Sequence, residues 1–382
     1  MNKNILHVVS VSFSISFFVG EQFNYFNAND LKYNFFVACS PARNVSELSD
    51  KYGFKSYELD INRAITPIED LKAIYKLRKF IIENNITTVV GHTPKGGMIA
   101  MLAATLAGVE SKIYFRHGLV YETSKGIKKI LLTNIERLSG NLANKVICVS
   151  NGIKQKSITD RLNNKSKNII LGKGTCNGVD CYNKYNPDNI DKTIVAKLKQ
   201  QYSIDENNVV FGFVGRLVTD KGINELLEAW LLFSKNNTNA KLLLVGPLEK
   251  RDAISDQSLN IIRNTKTIIH VGEVEDTSVF YSLMDVFVLP SYREGFPTVV
   301  LEASSMRLPV ITTNATGCNE AVIENETGII TKTITAEDIS KCLEFFMENA
   351  ERRKEFGQRG RDFVVENFEQ TKIWKMIKKE LL

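Results

Sequence analysis

The sequence predicts an α/β protein built from two doubly wound domains. Short apolar runs alternate with segments of helical period along most of the 382 residues. Such alternation means parallel strands with helices on both faces of each sheet. The alternation stops once, in the polar, turn-rich stretch 177–207, and then restarts. A length of 382 residues with 43% hydrophobic content is enough for more than one core.

The first strand is expected at Ile5–Ser10. The apolar stretch Ile5–Gly20 also raises the question of a signal peptide. Ser10, Ser12, Ser14 and Ser16 interrupt it, it lacks a small-residue cleavage site, and it is too short to span a bilayer. A buried strand followed by a loop and helix is the better reading. Further strands are expected at Asn34–Cys39, Thr88–Gly91, Lys112–Arg116, Val146–Val149 and Ile169–Leu171. Helices are expected at Pro67–Asn84, Gly97–Ala107 and Lys125–Ala143, with Pro67 suited to a first helical turn.

The linker 177–207 holds one short helix. Beyond it, strands are expected at Val209–Val214, Lys241–Val245, Ile268–Val271, Val286–Leu289 and Val310–Thr312, and helices at Ile223–Ser234, Val279–Met284 and Thr298–Met306. The segments Ala336–Asn349 and Ala350–Leu382 read as helical and rich in charge. The expected domains are 1–182 and 183–360, with a helix at 361–382 packing back on the first domain. Two doubly wound domains meeting at a cleft would bind ligands at the C-terminal ends of their strands.

Charge separates the halves. Residues 1–182 carry 24 Lys+Arg against 14 Asp+Glu, a net of +10, and the rest carry 25 against 29, a net of −4. The basic clusters are Lys72, Lys76, Arg78 and Lys79; Lys125, Lys128 and Lys129; and Lys154, Lys156, Arg161, Lys165 and Lys167. An anionic membrane surface or a phosphorylated acceptor fits them, as does a solvated face with no dedicated partner. Aromatic residues are not interleaved with the charge, so nucleic acid is not expected. The six cysteines form no CxxC pair and read as reduced thiols.

The most informative stretch runs from Ser291 to Ala303. Glu294 stands just after an apolar run, and Glu302 lies eight residues on, inside the next helical pattern. Between them the Gly295-Phe296-Pro297 turn opens a helix whose first N–H groups offer a phosphate site. Two hydroxyl-binding carboxylates around such a turn suit a sugar nucleotide. A second stretch, Gly215-Arg216 followed by Asp220-Lys221-Gly222, also follows a strand. Gly215 permits close backbone approach, Arg216 offers a planar fork of donors and Lys221 a compact charge, a combination suited to a diphosphate.

With these residues in place, the chain resembles the retaining glycosyltransferases of the GT4 family, which have the GT-B fold. Asn177-Gly-Val-Asp180 and Asn314-Ala-Thr-Gly317 followed by Glu320 add to the likeness. The first half, with His92-Thr-Pro-Lys-Gly-Gly97, Arg116-His117-Gly118 and Lys173-Gly-Thr-Cys-Asn-Gly178, is similar to the subgroup that builds capsule and O-antigen repeat units. The resemblance implies transfer of a hexose or N-acetylhexosamine from a UDP-sugar to a polyprenyl-diphosphate-linked saccharide, at the cytoplasmic face of the plasma membrane.

It also implies roles. Arg216 and Lys221 would hold the donor diphosphate. Glu294 would contact the donor sugar and Glu302 the ribose. Backbone N–H groups near Gly295, Phe296, Thr298 and Val299 would face the sugar and β-phosphate. The loop reaching Val274 would meet the base. His117 would lie near the donor sugar and act with Glu294, Arg216 and Lys221 in catalysis. No cofactor and no metal are implied, and there is no Asp-x-Asp signature. Many family members carry a Gly-Gly pair in the first loop, whereas this chain has Gly20 alone.

His92 and the turn Lys95-Gly96-Gly97 could bind an acceptor diphosphate or cap the helix that follows. His7 and His270 lie within strands and read as core residues. Two other readings share the architecture: a UDP-sugar 2-epimerase and a non-catalytic nucleotide-sugar-binding protein.

Overall fold

The structure is a computed structural model that describes residues 3–29, 33–62, 64, 66–250 and 252–381. The chain forms two compact units, Met1–Asn177 with Thr371–Leu382, and Gly178–Gln370. Both are doubly wound, in agreement with the fold class expected from the sequence.

The first unit begins with β1 (Lys3–Val8), α1 (Phe13–Phe18), α2 (Gln22–Asn29), β2 (Tyr33–Cys39), α3 (Val45–Tyr52) and β3 (Lys55–Glu58). It continues with α4 (Pro67–Glu83), β4 (Thr88–His92), α5 (Pro94–Leu106), β5 (Ser111–Arg116), α6 (Gly126–Leu142), β6 (Lys145–Cys148), α7 (Asn151–Thr159) and β7 (Asn168–Ile169). The strand order is β3-β2-β1-β4-β5-β6-β7, and every pairing is parallel. The order runs outward in both directions from the β1–β4 pair. That pair is the topological switch point, where such sheets bind ligands.

Central strands are buried on both faces, which is why they read as unbroken apolar runs. β3, with sequence Lys-Ser-Tyr-Glu, lies at the sheet edge and is mostly exposed, so it carries no such signal. Helix α5 starts earlier than expected. Pro94 occupies its first turn and Thr93 caps it, accepting from the Gly96 N–H.

Gly97 sits on the Tyr114 ring, and Gly91 is so near that a Cβ added to it would lie 2.8 Å from the Gly97 Cα. Tyr114 cannot swing aside, because its hydroxyl donates to Glu136 Oε1 at 3.0 Å. Gly97→Ala is therefore expected to destabilise this unit by about 1–3 kcal/mol, outweighing the better helix propensity of alanine. Chemical denaturation should show the loss, and an unchanged midpoint would mean that α5 is not pressed on the sheet as described.

The second unit contains α8 (Lys192–Gln201), β8 (Val209–Val214), α9 (Ile223–Ser234), β9 (Ala240–Val245), α10 (Asp256–Asn264), β10 (Ile268–Gly272), α11 (Ser278–Tyr281) and β11 (Val286–Leu289). Then come α12 (Thr298–Ser305), β12 (Val310–Thr313), β13 (Gly328–Thr331), α13 (Ala336–Glu348) and α14 (Ala350–Phe368). The order β10-β9-β8-β11-β12-β13 is again all parallel, with its switch point between β8 and β11. β13 is a short edge strand opening with glycine that is absent from the expected strands, although Ile329-Ile330-Thr331 is β-branched.

The helical stretch expected from Ala350 to Leu382 divides at Glu369. That residue is extended and buried, and its neighbours bracket Val179: the Val179 N–H donates to the Phe368 carbonyl at 2.9 Å, and the Gln370 N–H donates to the Val179 carbonyl at 3.0 Å. The last helix, α15 (Gln370–Leu381), then joins the first unit. The segment counted with that unit is thus Thr371–Leu382, whereas 361–370 stays with the second. Ile373, Trp374, Ile377 and Leu381 enter a core shared with Ile5, Phe23 and Phe35. Trp374 Nε1–H donates to Asn177 Oδ1 at 2.6 Å.

Candidate active site

In the second unit, loops leave the C-terminal ends of β8 and β11, the two strands at the switch point. The loops are tied together around Asp220. The Tyr292 N–H and the Ser291 hydroxyl both donate to the Asp220 carbonyl, at 3.0 and 3.1 Å. The Arg293 guanidinium meets the Asp220 carboxylate at 2.7 Å. Gly222, at φ +69°, packs so closely on the Pro290 carbonyl that a Cβ would overlap it. A third loop, after β12, supports the turn. Glu294 N–H donates to the Thr316 carbonyl at 3.1 Å, and Gly317 abuts the Gly295 carbonyl.

This convergence brings together Lys221 and Glu294, which are 73 positions apart in sequence. The ammonium is bonded to Glu294 Oε1, with the side chains only 20% and 13% exposed. Arg216 is more exposed, and its guanidinium donates to Glu249 Oε2 at 2.6 Å. Each of the two cations expected to hold a diphosphate thus already faces a carboxylate. An incoming diphosphate must compete with Glu249 for Arg216. Glu249 was not among the residues picked out by sequence, because it follows β9 in a segment without pattern. Only the pairing of β9 with β8 brings it near Arg216.

Helix α12 begins immediately after Pro297, and its first N–H groups, including those of Thr298 and Val299, have no carbonyl one turn back. Phe296 and Val299 are half-buried and pack on the core of this unit, as does Val274 beyond β10. Glu302 lies buried one turn into α12. Tyr281 donates its hydroxyl to Glu302 Oε2 at 2.8 Å, and the Tyr281 ring lies at 72° to that of Tyr185, whose hydroxyl is 3.2 Å from Thr277 Oγ1. Burial raises the Glu302 carboxyl above the ordinary carboxylate range, against the pull of the Tyr281 hydrogen bond. Tyr185 and Tyr281 are further residues that sequence reading missed.

In the first unit, β1, β4 and β5 are neighbours at the switch point, and each contributes one histidine. His7 lies within β1, His92 ends β4 and His117 follows β5. His7 Nδ1 lies 3.0 Å from His92 Nε2, and His92 Nδ1 lies 2.9 Å from His117 Nε2. The Phe18 ring lies face to face on His117, with centroids 3.7 Å apart. Burial drives His7 down to about 3 and His92 well below its ordinary value, with the neighbouring rings adding to the shift on His92. Burial also lowers His117, and all three rings are neutral near pH 7.

The other residues considered for an acceptor are committed elsewhere. Lys95 turns inward, bonded to the Asp70 carboxylate and to the Ala64 carbonyl at 2.8 Å. The Gly96 N–H is taken by Thr93 Oγ1 at 3.3 Å, and Gly97 rests on Tyr114. His92 is 1% exposed, and both its ring nitrogens are engaged. The cap of α5 comes from Thr93, next to His92 in sequence. A separate recess of ≈ 400 Å³, lined in part by Lys129, Arg137, Lys156 and Asp160, contains none of the expected site residues.

Residues 195–363 match the family model described as glycosyl transferases group 1, and residues 5–150 match that described as glycosyl transferase 4-like. The chain is 31% identical over 374 residues to the capsular polysaccharide biosynthesis glycosyltransferase CapM of Staphylococcus aureus, covering 98% of this chain and 95% of the relative. It is 30% identical to the Escherichia coli UDP-Gal:alpha-D-GlcNAc-diphosphoundecaprenol alpha-1,3-galactosyltransferase, covering 69% and 67%. Among solved structures, a glycosyltransferase from Rickettsia africae superposes with TM-score 0.79 at 21% identity, covering 99% and 97%. Anabaena Alr3699/HepE in complex with UDP-glucose superposes with TM-score 0.81 at 17% identity, covering 99% of each chain. The two model matches, the full-length likeness to CapM and the paired doubly wound sheets lead to one conclusion: the chain belongs to the GT4-like, group 1 glycosyltransferases, is built on the GT-B plan and is a glycosyltransferase.

Proposed function

We propose that the chain moves a hexose or N-acetylhexosamine from a UDP-sugar to a saccharide carried on undecaprenyl diphosphate, with retention, in the assembly of capsule or O-antigen. The observation that carries the donor half is the Lys221–Glu294 pair, set between two loops at the switch point of the second sheet and beside the start of α12. In this reading Lys221 and Arg216 receive the diphosphate, with Gly215 allowing close approach. The N–H groups of the Gly295–Val299 turn face the sugar and β-phosphate. Glu294 orients the sugar hydroxyls, Glu302 the ribose, and the backbone near Val274 the base.

The acceptor hydroxyl forms the new bond to the anomeric carbon on the face from which the phosphate oxygen departs. That oxygen takes the hydroxyl proton, and UDP leaves. Cations beside the leaving group stabilise its charge, so neither a protein nucleophile nor a metal is required. Names of relatives support the substrates: the Escherichia coli enzyme names a UDP-sugar and a diphosphoundecaprenol acceptor, and a Campylobacter jejuni relative names a diphospho-undecaprenol acceptor. A screen of UDP-sugars against synthetic polyprenyl-diphosphate sugars, read by mass spectrometry, tests the reading. Epimerised sugar formed without any acceptor would overturn it.

A membrane surface completes the proposal. Among the described residues no helix is long and apolar enough to cross a membrane. Helices α4, α5 and α6 lie side by side. Ile68, Leu71 and Tyr75 on α4 are 66%, 67% and 67% exposed, and Ile127 and Ile130 on α6 are 83% and 63% exposed. Lys72, Lys76 and Lys79 on α4, and Lys128 and Lys129 on α6, flank them. Apolar side chains fringed by lysines suit an anionic lipid surface. Cosedimentation with phosphatidylglycerol vesicles is expected to weaken with added salt and to drop about tenfold or more in an Ile127→Glu, Ile130→Glu variant. Equal binding to neutral vesicles would argue against it.

A further inference from the structure

The three histidines of the first unit form an unbroken hydrogen-bonded chain from the interior to a half-buried end at His117. The centroid separations, 5.3 and 5.2 Å, exceed the N···N distances of 3.0 and 2.9 Å by about two ring radii, and the planes are within 18° and 25° of parallel. The rings therefore lie edge to edge, with the nitrogens pointing at each other in plane. This is the geometry of N–H···N hydrogen bonds, not of face stacking.

Neutral imidazole has one N–H and one bare nitrogen, so the choice at one ring dictates the next. Two arrangements exist. In the first, His7 Nδ1–H donates to His92 Nε2, His92 Nδ1–H donates to His117 Nε2, and His117 keeps its proton on Nδ1. In the second, every proton is on the opposite nitrogen and His117 Nδ1 is bare. The arrangements differ at the buried end. Among the described residues His7 Nε2 has no hydrogen-bond partner, and His7 is 1% exposed, with the Phe23 ring 5.0 Å away between centroids and tilted 71° to it. The second arrangement would bury an N–H with nothing to accept it, whereas the first leaves only a bare lone pair. Orphaned buried N–H groups are the rarer and costlier of the two.

We propose that His7 and His92 are positioning residues that lock His117 as the Nδ1–H tautomer, a neutral hydrogen-bond donor to a ligand oxygen. Its Nδ1 makes no hydrogen bond among the described residues, and the Phe18 ring holds its plane. A ring so fixed donates to a sugar hydroxyl or phosphate oxygen and does not act as a base. This step rests on the place beside the donor sugar that the family resemblance implies for His117, but the tautomer itself does not.

Two-dimensional 15N–1H spectra of the histidine rings in the full chain test it. His117 is expected to carry its proton on Nδ1 near pH 7.5, with Nε2 as acceptor. A proton on Nε2, or a charged ring, would overturn the proposal. His92→Phe keeps the ring packing and removes both hydrogen bonds. It should give mixed His117 tautomers and lower kcat/KM for the donor about three- to tenfold, and His92→Asn, whose amide can donate where Nδ1–H did, should restore both. An undisturbed His117 tautomer in His92→Phe would overturn the chain. A shifted tautomer with unchanged kinetics would instead remove His117 from the transfer reaction.

Discussion

Lys221→Ala and Glu294→Ala are each expected to cut turnover by about 10²- to 10³-fold while leaving the fold intact. That magnitude is typical for removal of one group aimed at charge developing in a transition state. Here the two groups are coupled. Lys221 and Glu294 are both largely enclosed and bonded to each other, so deleting either leaves its partner misdirected as well as unpaired. For residues acting as a unit, the double variant should be little worse than either single variant. Steady-state rates with saturating donor and acceptor would decide this, with circular dichroism as the control for folding. Rates within about threefold of wild type in both variants would remove this pair from the reaction.

Arg116→Met is expected to have the largest effect on stability, about 3–5 kcal/mol, through the first unit. Arg116 ends β5 and is fully buried. Its guanidinium reaches Glu136 Oε2 at 2.8 Å, Ser157 Oγ at 2.9 Å and Asn163 Oδ1 at 2.9 Å. Methionine fills similar space but strands the buried Glu136 carboxylate, which among the described residues then keeps only the Tyr114 hydrogen bond. Adding Glu136→Gln to that variant should recover part of the loss, because the stranded charge is gone. Urea denaturation followed by a probe in the first unit reads both values, and a wild-type midpoint for Arg116→Met would refute the account. Arg116 stands next to His117, so in this segment a buried structural residue adjoins the half-buried end of the histidine chain.

Much of the fold was legible along the chain because buried parallel strands read as apolar runs. Ile223–Ser234 and Val209–Val214 were placed to the residue. The short edge strand β3 was not, since an exposed edge needs no apolar run, and β13 was missed despite its β-branched Ile329-Ile330-Thr331. The break at Glu369 was also hidden: nothing local forbids helix there, and the extended conformation is held by hydrogen bonds to Val179, far away in sequence.

The site divides in the same way. Gly215, Arg216, Lys221, Glu294 and Glu302 could be picked out because glycine turns and charges after strands are local signals. Their partners could not. Glu249 on Arg216 and Tyr281 on Glu302 come from separate segments. Lys95 stands beside two glycines in sequence, and its partner Asp70 comes from the preceding helix.

By itself, then, the sequence determined the alternation of strands and helices, the motif proposed for the donor site and the glycosyltransferase class, since each rests on residues close together in the chain. Strand order decided the rest. Lys221 meets Glu294 because β8 lies beside β11, and His7, His92 and His117 join because β1, β4 and β5 are neighbours. Hydrogen bonds act over about 3 Å, so only the parallel pairing of strands distant in sequence could bring these groups within reach.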